Sequence, residues 1–352
     1  MRRMRAPGRT GVERAFLVGC GAMSRTWLEA ARQIDGIAIV GLADIDRSRA
    51  EQRAREFHLD GAAIGTSLSE LLAVTKPDVV FDVVVPEART GLVIEALRAG
   101  CHVLSEKPLA TGLVQAREML AAAKAANRIH AVVQNRRYIA PVRRLRRLMD
   151  NGAIGHPTSI HCDFFLGPHF GGFREEMRHV LLLDMAIHTF DAARAITGLE
   201  AERVYCREWD PPTSWYTQGS SAAAFFDMSG GAIFTYRGSW AAEGLRTSWE
   251  SAWRIVGERG SAVWDGFETM TAEVVADSAR DGLFSSVVPV TIPSLGPGDR
   301  VGGHLGVMGD FIDAVRTGAR PETVATDNLK SLAMVLAAIK GAETGLPVPI
   351  ES

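Results

Sequence analysis

A single apolar stretch carries three side chains that could take part in proton chemistry. Residues 179–191 have the sequence HVLLLDMAIHTFD, in which Asp184, His188 and Asp191 interrupt a run of aliphatic residues. At about 100° per residue, these three positions fall on one stripe of a helix. Because the pKa of imidazole lies near neutral pH, His188 is suited to act as a general acid or base. The pattern predicts a helix that presents His188, with Asp184 one turn earlier.

A structural explanation of the same stretch stays open. Asp184 and His188 could form a surface ion pair, and a histidine in a core is often structural. The flanking aliphatic residues do not favour a solvated face. Asp191 is expected to cap or brace the helix rather than to react.

A glycine-rich turn near the N-terminus predicts a phosphate-binding loop. The segment LVGCGAMS (17–24) places Gly19 and Gly21 between a predicted strand and a predicted helix, with Ser24 at the third position of a G-x-G-x-x-G pattern. A dinucleotide pyrophosphate needs close backbone approach and free N–H groups at such a helix start, here those around Ala22 and Met23. By itself, the pattern could equally be an ordinary turn.

Asp44 supports the nucleotide interpretation. It ends the second predicted strand, 25 residues after Gly19. An acidic side chain there can accept hydrogen bonds from the adenosine ribose. Since it would repel a 2′-phosphate, NAD is favoured over NADP. Alternatively, Asp44 could cap the next helix, but Asp46 fits that position better.

A lysine follows another predicted parallel strand. The segment GCHVLSEKPLA (100–110) places Glu106, Lys107 and Pro108 just after β-rich residues. Ligands of open α/β sheets bind at the carboxyl ends of strands, so this loop is expected to face the cofactor. Pro108 biases Lys107 toward an extended backbone. Lys107 could bind a substrate hydroxyl or the nicotinamide side of the cofactor, or form an exposed pair with Glu106.

The elements that must position these residues follow from the hydrophobic pattern. In the first 130 residues, β-rich runs alternate with helical stretches, which predicts a doubly wound parallel sheet. After about residue 150, β-rich runs follow one another with short turns, which predicts an open, mainly antiparallel sheet. The terminal helices, at 304–317 and 327–343, are expected to pack back on the structure. The predicted organisation is a flexible basic arm (1–11), a nucleotide-binding domain (12–134) and a second α/β domain (135–352).

Composition excludes several classes of protein. The chain has 352 residues, a net charge of −2, 47% hydrophobic residues and four cysteines. A nearly neutral chain argues against nucleic acid or an acidic membrane as a partner, and no apolar run is long enough to span a bilayer. The basic N-terminus is followed by no apolar signal-peptide core. Widely spaced cysteines predict neither a disulfide framework nor a zinc site, so a cytoplasmic protein without a metal is expected.

The three motifs together resemble one family. G-x-G-x-x-S at the N-terminus, E-K-P at 106–108 and D-x-x-x-H at 184–188, in this order, are the pattern of the Gfo/Idh/MocA oxidoreductases. These are named for glucose–fructose oxidoreductase and inositol 2-dehydrogenase. The resemblance runs from about residue 12 to 345. It implies a Rossmann domain followed by an α/β domain with an open sheet, and oxidation of a sugar or cyclitol hydroxyl, or its reversal, with NAD or NADP.

The resemblance also implies roles for residues. Lys107 is similar to the family's lysine at the nicotinamide and substrate, and Asp184 and His188 look like its catalytic pair. In such a reaction His188 takes the hydroxyl proton while the hydride leaves for the nicotinamide, and Lys107 stabilises the developing alkoxide. The segment NRRY matches a region that often contributes to the substrate pocket, which adds three candidates: Arg136, Arg137 and Tyr138.

The sequence departs from the family pattern in two places. Many members have P-N-x-x-H after the third long strand, whereas this chain has PEART, with Glu87 and Thr90 in place of Asn and His. Contacts near the nicotinamide, including that of Pro86, are therefore expected to differ. Where many members are glycine-rich before Asp184, this chain has REEMRHVLLLD, so a reshaped substrate pocket is expected.

Aromatic residues provide further substrate candidates. Five of the seven tryptophans lie between residues 209 and 253. Most are expected in the core or in a subunit interface, with Trp215 and Trp240 as the better candidates for a pocket. His169, upstream of the predicted helix, is another candidate.

Three functions compete at this point. The leading one is NAD-dependent oxidation of a secondary hydroxyl of a sugar, cyclitol or glycoside. The second is reduction of an imine or a non-sugar carbonyl, which would use Lys107 but would not need His188. The third is a sensor that binds dinucleotide or sugar without turnover. In each case the open sheet suggests a homodimer or homotetramer.

Overall fold

The computed structural model describes residues 11–276 and 283–351. The chain forms two compact units, the first comprising residues 1–138 and 300–332 and the second comprising residues 139–299 and 333–352. Of the predicted N-terminal arm (1–11), only residue 11 lies within the described residues.

The first unit contains a parallel sheet with the strand order β3–β2–β1–β4–β5–β6. All its neighbouring strands run parallel. Its strands are β1 Glu13–Val18, β2 Ile37–Ala43, β3 Ala63–Gly65, β4 Val79–Asp82, β5 His102–Ser105 and β6 His130–Val132. The intervening helices are α1 Met23–Ala31, α2 Arg47–Glu56, α3 Leu68–Thr75, α4 Pro86–Arg98 and α5 Leu113–Ala126. The predicted doubly wound sheet is confirmed, and its strand order reverses between β1 and β4.

Local sequence accounts for several of these element boundaries. Asp46 caps α2, its side chain accepting from the Ser48 amide, and Ser67 caps α3 in the same way. Capping side chains satisfy amide groups that have no partner within the helix. The continuous apolar run of β4 is buried at every position, as expected for a strand covered on both faces.

Residues 300–332 belong to the first unit. Helix α9 (His304–Thr317) buries Val307, Met308, Phe311 and Ile312 in the same core as Trp27 of α1. The sequence-based division assigned these residues, and residues 135–138, to the second domain. The two divisions differ because an apolar stripe shows that a helix is covered but does not show which sheet covers it.

The second unit contains a nine-stranded sheet with the order β14–β13–β12–β11–β7–β10–β9–β8–β15. Of its neighbouring pairs, β7 and β10 run parallel and the others antiparallel. Its strands are β7 Pro157–Phe165, β8 Ala201–Trp209, β9 Ser221–Met228, β10 Ile233–Ser239, β11 Ala252–Gly257, β12 Gly260–Trp264, β13 Met270–Val275, β14 Val287–Pro289 and β15 Val348–Pro349. This confirms the predicted open, mainly antiparallel sheet.

One face of this sheet packs against helices α6 (Ala140–Asp150) and α8 (Ile187–Thr197) to form the core of the second unit. The opposite face leaves aromatic residues exposed, including the cross-strand pair Tyr205 and Phe225. The predicted single helix over 181–197 is instead a π-helical turn, Leu181–Ala186, that continues into α8. A further short helix, α7, spans Phe173–Glu176, and α10 spans Ala325–Thr344.

Within the described ranges, no helix has both the length and the hydropathy required to cross a membrane.

Candidate active site

Gly19 is required by the packing of the first unit itself. Its φ is +91°, a conformation that side-chain-bearing residues rarely adopt. A Cβ at this position would lie 2.6 Å from the Val83 carbonyl oxygen and 2.9 Å from the Val84 amide nitrogen. The turn after β1 therefore lies directly against the turn after β4.

Gly21 is not required by packing. Its φ lies outside the left-handed region, and a Cβ placed on it would meet nothing within 4 Å. No side chain caps α1 at Ala22, so the first-turn amides, including that of Met23, are available to an anion. Ser24, in contrast, is buried, and its hydroxyl donates to the Gly21 carbonyl at 2.6 Å. Open space in front of a helix N-terminus is what a pyrophosphate needs.

Asp44 lies beside this loop and is fixed by backbone amides. Its carboxylate accepts from the Cys20 amide at 2.7 Å and from the Asp46 amide at 2.9 Å. Each carboxylate oxygen can accept a further hydrogen bond, so both contacts are compatible with a ribose hydroxyl. Burial and the charge of Asp44 raise the pKa of the Cys20 thiol to about 12, so this thiol stays protonated at neutral pH.

Glu106 is bound by the protein around it. It is buried; its Oε1 accepts from the Trp27 indole at 2.7 Å and lies 3.5 Å from His304 Nε2. Its other oxygen accepts from the Lys107 amide at 3.1 Å. Burial raises the pKa of Glu106, but hydrogen bonds from His304 and Trp27 and the charge of Lys107 outweigh it, and the net pKa is lowered. Glu106 therefore stays ionised and braces the backbone of Lys107.

Lys107 follows β5 at the carboxyl edge of the sheet. The peptide bond between Lys107 and Pro108 is cis, and the neighbouring Glu106 amide donates to the Asp82 carbonyl of β4 at 2.8 Å. Pro86 begins α4 immediately after β4 and its turn. Lys107 and Pro86 thus follow adjacent strands, as the sequence predicted for the cofactor-facing edge.

Two of the three candidates in the NRRY segment are occupied within the first unit. Arg137 is 5% exposed and donates to the Asp327 carboxylate at 2.7 Å. Tyr138 is 1% exposed and its hydroxyl donates to Asp310 at 2.8 Å. A structural role accounts for both side chains. Arg136 is partly exposed.

In the second unit, Asp184 and His188 lie on consecutive parts of one helical segment. Asp184 is in the π-helical turn, and its carboxylate accepts from Arg174 Nε at 2.8 Å. His188 begins the second position of α8 and is 9% exposed. Asp191 is buried, with Arg194 3.7 Å away, so it forms part of a structural ion pair. A π-turn changes the predicted α-helical stripe, and such turns are frequent at functional sites.

Aromatic rings surround Arg174. Its guanidinium lies 5.1 Å from the ring centre of Phe170 and 4.9 Å from that of Phe173, and both rings are exposed. Such contacts orient the guanidinium that binds Asp184. Phe170 also packs edge-on against Trp240, at 5.3 Å between ring centres.

The two predicted tryptophans differ in accessibility. Trp215 is partly buried, stacks on His169 at 3.7 Å between ring centres, and donates to the Pro168 carbonyl at 3.1 Å. Trp240 is 2% exposed and belongs to the hydrophobic core of the second unit. Its ring has too little accessible surface to serve as a pocket wall, so Trp240 is not retained as a substrate contact.

Comparison with known proteins agrees with this geometry. Residues 14–134 match the model of the GFO_IDH_MocA oxidoreductase family with an NAD-binding Rossmann fold, and residues 142–263 match the GFO/IDH/MocA C-terminal domain. The chain belongs to the Gfo/Idh/MocA family.

Curated relatives of this oxidoreductase include two named sugar enzymes. It is 25% identical over 342 residues to 1,5-anhydro-D-fructose reductase of Ensifer adhaerens, covering 96% of this chain and 98% of the relative. It is 28% identical over 352 residues to D-apiose dehydrogenase of Paraburkholderia graminis, covering 96% and 89%. An oxidoreductase from Agrobacterium radiobacter, solved with NAD⁺, L-tartaric acid and magnesium, shares the fold, with a TM-score of 0.84, 22% identity and coverage of 96% and 98%.

The Gfo/Idh/MocA oxidoreductase therefore binds NAD, and its glycine-rich loop fits that cofactor. The open space at Gly21 and the uncapped start of α1 suit the pyrophosphate. The fixed carboxylate of Asp44 suits the adenosine ribose. Among the residues that the structure describes, no group of three or more His, Cys, Asp or Glu side chains is arranged to hold a metal ion.

Sequence reasoning missed three residues that organise this site. Trp27 and His304 contact Glu106 from positions 79 residues before it and 198 residues after it. Arg174 contacts Asp184 from a short helix ten residues earlier. An arginine or tryptophan in such positions carries no periodic signal; only the E-K-P motif, whose buried carboxylate needs donors, could have suggested that partners exist.

Proposed function

We propose that this oxidoreductase oxidises a secondary hydroxyl of a sugar, cyclitol or glycoside, or catalyses the reverse reduction, with NAD as the hydride carrier. The observation that carries the proposal is His188, a nearly buried imidazole on a helix, one turn after a carboxylate fixed by Arg174. A sensor has no need for a proton-transfer group in such surroundings. The names of the curated relatives support a sugar or polyol substrate.

In the proposed reaction, His188 accepts the hydroxyl proton, and Lys107 donates a hydrogen bond to the oxygen as negative charge develops. Asp184 binds a neighbouring substrate hydroxyl or orients His188, with Arg174 limiting its motion. NAD, when bound, supplies the hydride acceptor. Glu106 contributes by fixing the backbone amide of Lys107.

For the cofactor we propose contacts with the glycine-rich loop, namely Gly19, Gly21, Ala22 and Met23, and with Asp44, Pro86, Glu106 and Lys107. Asp44 favours NAD over NADP, because its fixed carboxylate would repel a 2′-phosphate. Besides Asp184, His188 and Lys107, the proposed substrate contacts are His169 and Trp215, whereas Arg137 and Tyr138 are assigned to the structure of the first unit.

Absorbance at 340 nm tests the proposal. Purified protein is screened with NAD, and in parallel with NADP, against cyclitols, aldoses and glycosides. With an active substrate, His188→Ala and Lys107→Ala are each expected to lower kcat by roughly 10²–10⁴-fold, while NAD binding survives. His156→Ala and Lys124→Ala, which change exposed residues, are the matched controls.

Each outcome separates the competing functions. Normal turnover in His188→Ala would exclude His188 as the acid–base group and favour reduction of an imine or a non-sugar carbonyl. NAD binding without turnover of any polyol would favour a sensor. Equal turnover with NADP would contradict the role proposed for Asp44.

We also propose that the open sheet forms the interface of a homodimer or homotetramer. Tyr205, Trp209 and Phe225 are 41%, 48% and 46% exposed on β8 and β9, and exposed aromatic residues are enriched in interfaces. Light scattering is expected to show an oligomer that Phe225→Lys dissociates; a monomeric wild type would contradict this. Four buried, unpaired thiols support a cytoplasmic setting.

A further inference from the structure

Arg89 is a buried side chain to which neither motif nor proposed reaction assigns a role. It is 0% exposed and donates from three nitrogens to three separate acceptors. Its Nε donates to the Asp82 carboxylate at 2.6 Å and its Nη2 to the Val84 carbonyl at 2.7 Å, while its Nη1 donates to the Pro108 carbonyl. One guanidinium thus connects the end of β4, the turn after it and the loop that carries Lys107.

These three acceptors lie at the nicotinamide half of the sheet. In an open sheet of this strand order, a dinucleotide lies across the carboxyl edge, with one nucleotide on each side of the point where the order reverses. Asp44, at the end of β2, belongs to the adenosine side. Asp82 ends β4 and Pro108 follows β5, both on the other side of the reversal. Arg89 therefore connects the two loops that face the second nucleotide.

Stability alone does not account for this arrangement. Removing both Arg89 and Asp82 from water costs several kcal/mol per ion in general, and apolar replacements of buried pairs are often equally stable. The neighbouring His130 adds no second charge, because burial and the charge of Arg89 lower its pKa to about 3. What a guanidinium supplies, and an apolar residue does not, is a rigid fork that fixes several oxygens in defined directions.

We propose that Arg89 is a positioning residue for the nicotinamide half of NAD. By fixing the Val84 and Pro108 carbonyls, it sets the two loops that contact the nicotinamide ring, and through Pro108 it sets the backbone of Lys107. The effect on catalysis depends on the proposed function, whereas the effect on binding depends only on the binding of NAD.

Calorimetric titration with NAD⁺ and with ADP-ribose, which lacks nicotinamide, tests the proposal without turnover. Wild type is expected to bind NAD⁺ more tightly than ADP-ribose. In Arg89→Met the affinity for NAD⁺ is expected to fall by about tenfold, with ADP-ribose unaffected; Arg89→Lys is expected to behave alike, because an ammonium cannot span the three acceptors. With a polyol substrate, kcat is expected to fall by about a hundredfold and KM to change little.

Two further variants separate positioning from folding. Asp82→Leu combined with Arg89→Met removes both charges and is expected to fold, yet to keep the loss of NAD⁺ affinity. Arg128→Met is the matched control, since Arg128 donates to the Gly100 and Asn127 carbonyls before β5 and β6, at the opposite edge of the sheet. It is expected to change neither affinity.

Several results would overturn the proposal. They are equal losses of NAD⁺ and ADP-ribose affinity in Arg89→Met, unchanged NAD⁺ affinity in that variant, recovery of NAD⁺ affinity in the double variant, or equal wild-type affinity for the two ligands. If no polyol is turned over, the proposed function fails while the comparison of the two ligands still decides the role of Arg89.

Discussion

Adding one methyl group to each glycine of the phosphate-binding loop is expected to have opposite effects at the two positions. In Gly19→Ala the methyl group would lie 2.6 Å from the Val83 carbonyl oxygen, at a residue whose φ is +91°. The left-handed conformation costs about 1–2 kcal/mol, and forcing extra volume into packed surroundings costs about 1–3 kcal/mol. We therefore expect the free energy of unfolding to fall by roughly 2–5 kcal/mol.

In Gly21→Ala the methyl group meets no protein atom within 4 Å, at an ordinary φ. Replacing glycine by alanine at a compatible position stabilises a protein by about 0.4–1 kcal/mol, because the unfolded chain loses freedom. The methyl group would, however, occupy the space proposed for the pyrophosphate. At about 1–3 kcal/mol for such a steric conflict, the Kd for NAD is expected to rise roughly 5–150-fold.

Urea unfolding followed by circular dichroism, together with calorimetric titration of NAD, measures both quantities in the same preparations. Each variant serves as the control of the other, since the two substitutions are chemically identical and two residues apart. Gly21→Ala with wild-type affinity for NAD would refute the assignment of the open space to the pyrophosphate. Gly19→Ala with wild-type stability would refute the close approach between the two turns.

Trp27→Phe removes the donor to Glu106; because a buried carboxylate loses a hydrogen bond, we expect unfolding measurements to show a loss of about 1–3 kcal/mol, with a raised pKa of Glu106. Arg174→Met frees Asp184; since this partly exposed pair contributes at most about 1 kcal/mol, stability is expected to change little, while kcat/KM with the polyol falls about tenfold. Burial lowers the pKa of His130 from 6.5 to about 3, so the unfolded chain takes up a proton below about pH 6.5 that the folded chain refuses until about pH 3. The free energy of unfolding is therefore expected to decrease as pH falls through this window, and less steeply in His130→Gln.

Controls accompany each of these three variants. Unchanged stability in Trp27→Phe would show that the indole does not support the carboxylate. Arg178→Met is the matched control for Arg174→Met, since Arg178 is an exposed arginine four residues later; equal effects of the two would indicate a general effect of charge. Parallel pH curves for wild type and His130→Gln would contradict the contribution assigned to that histidine.

The sequence by itself determined the features that depend on neighbouring residues. The alternation of apolar strands and helices predicted the parallel sheet, and the position of Asp46 predicted the cap of α2. A strand, a G-x-G turn and a helix in succession predicted the loop at Gly19 and Gly21. Such features are readable because backbone geometry and periodic burial act over a few residues. Together with the E-K-P and D-x-x-x-H motifs, they were enough to identify the family.

Only the tertiary structure decided which distant residues support the chemical groups. Glu106 depends on Trp27 and His304, and Asp184 depends on Arg174. Arg89 connects two loops that the sequence treats separately. It also decided that α9 completes the core of the first unit. These contacts form because buried charges and donors must find partners wherever folding places them, and partners hundreds of residues apart leave no pattern along the chain.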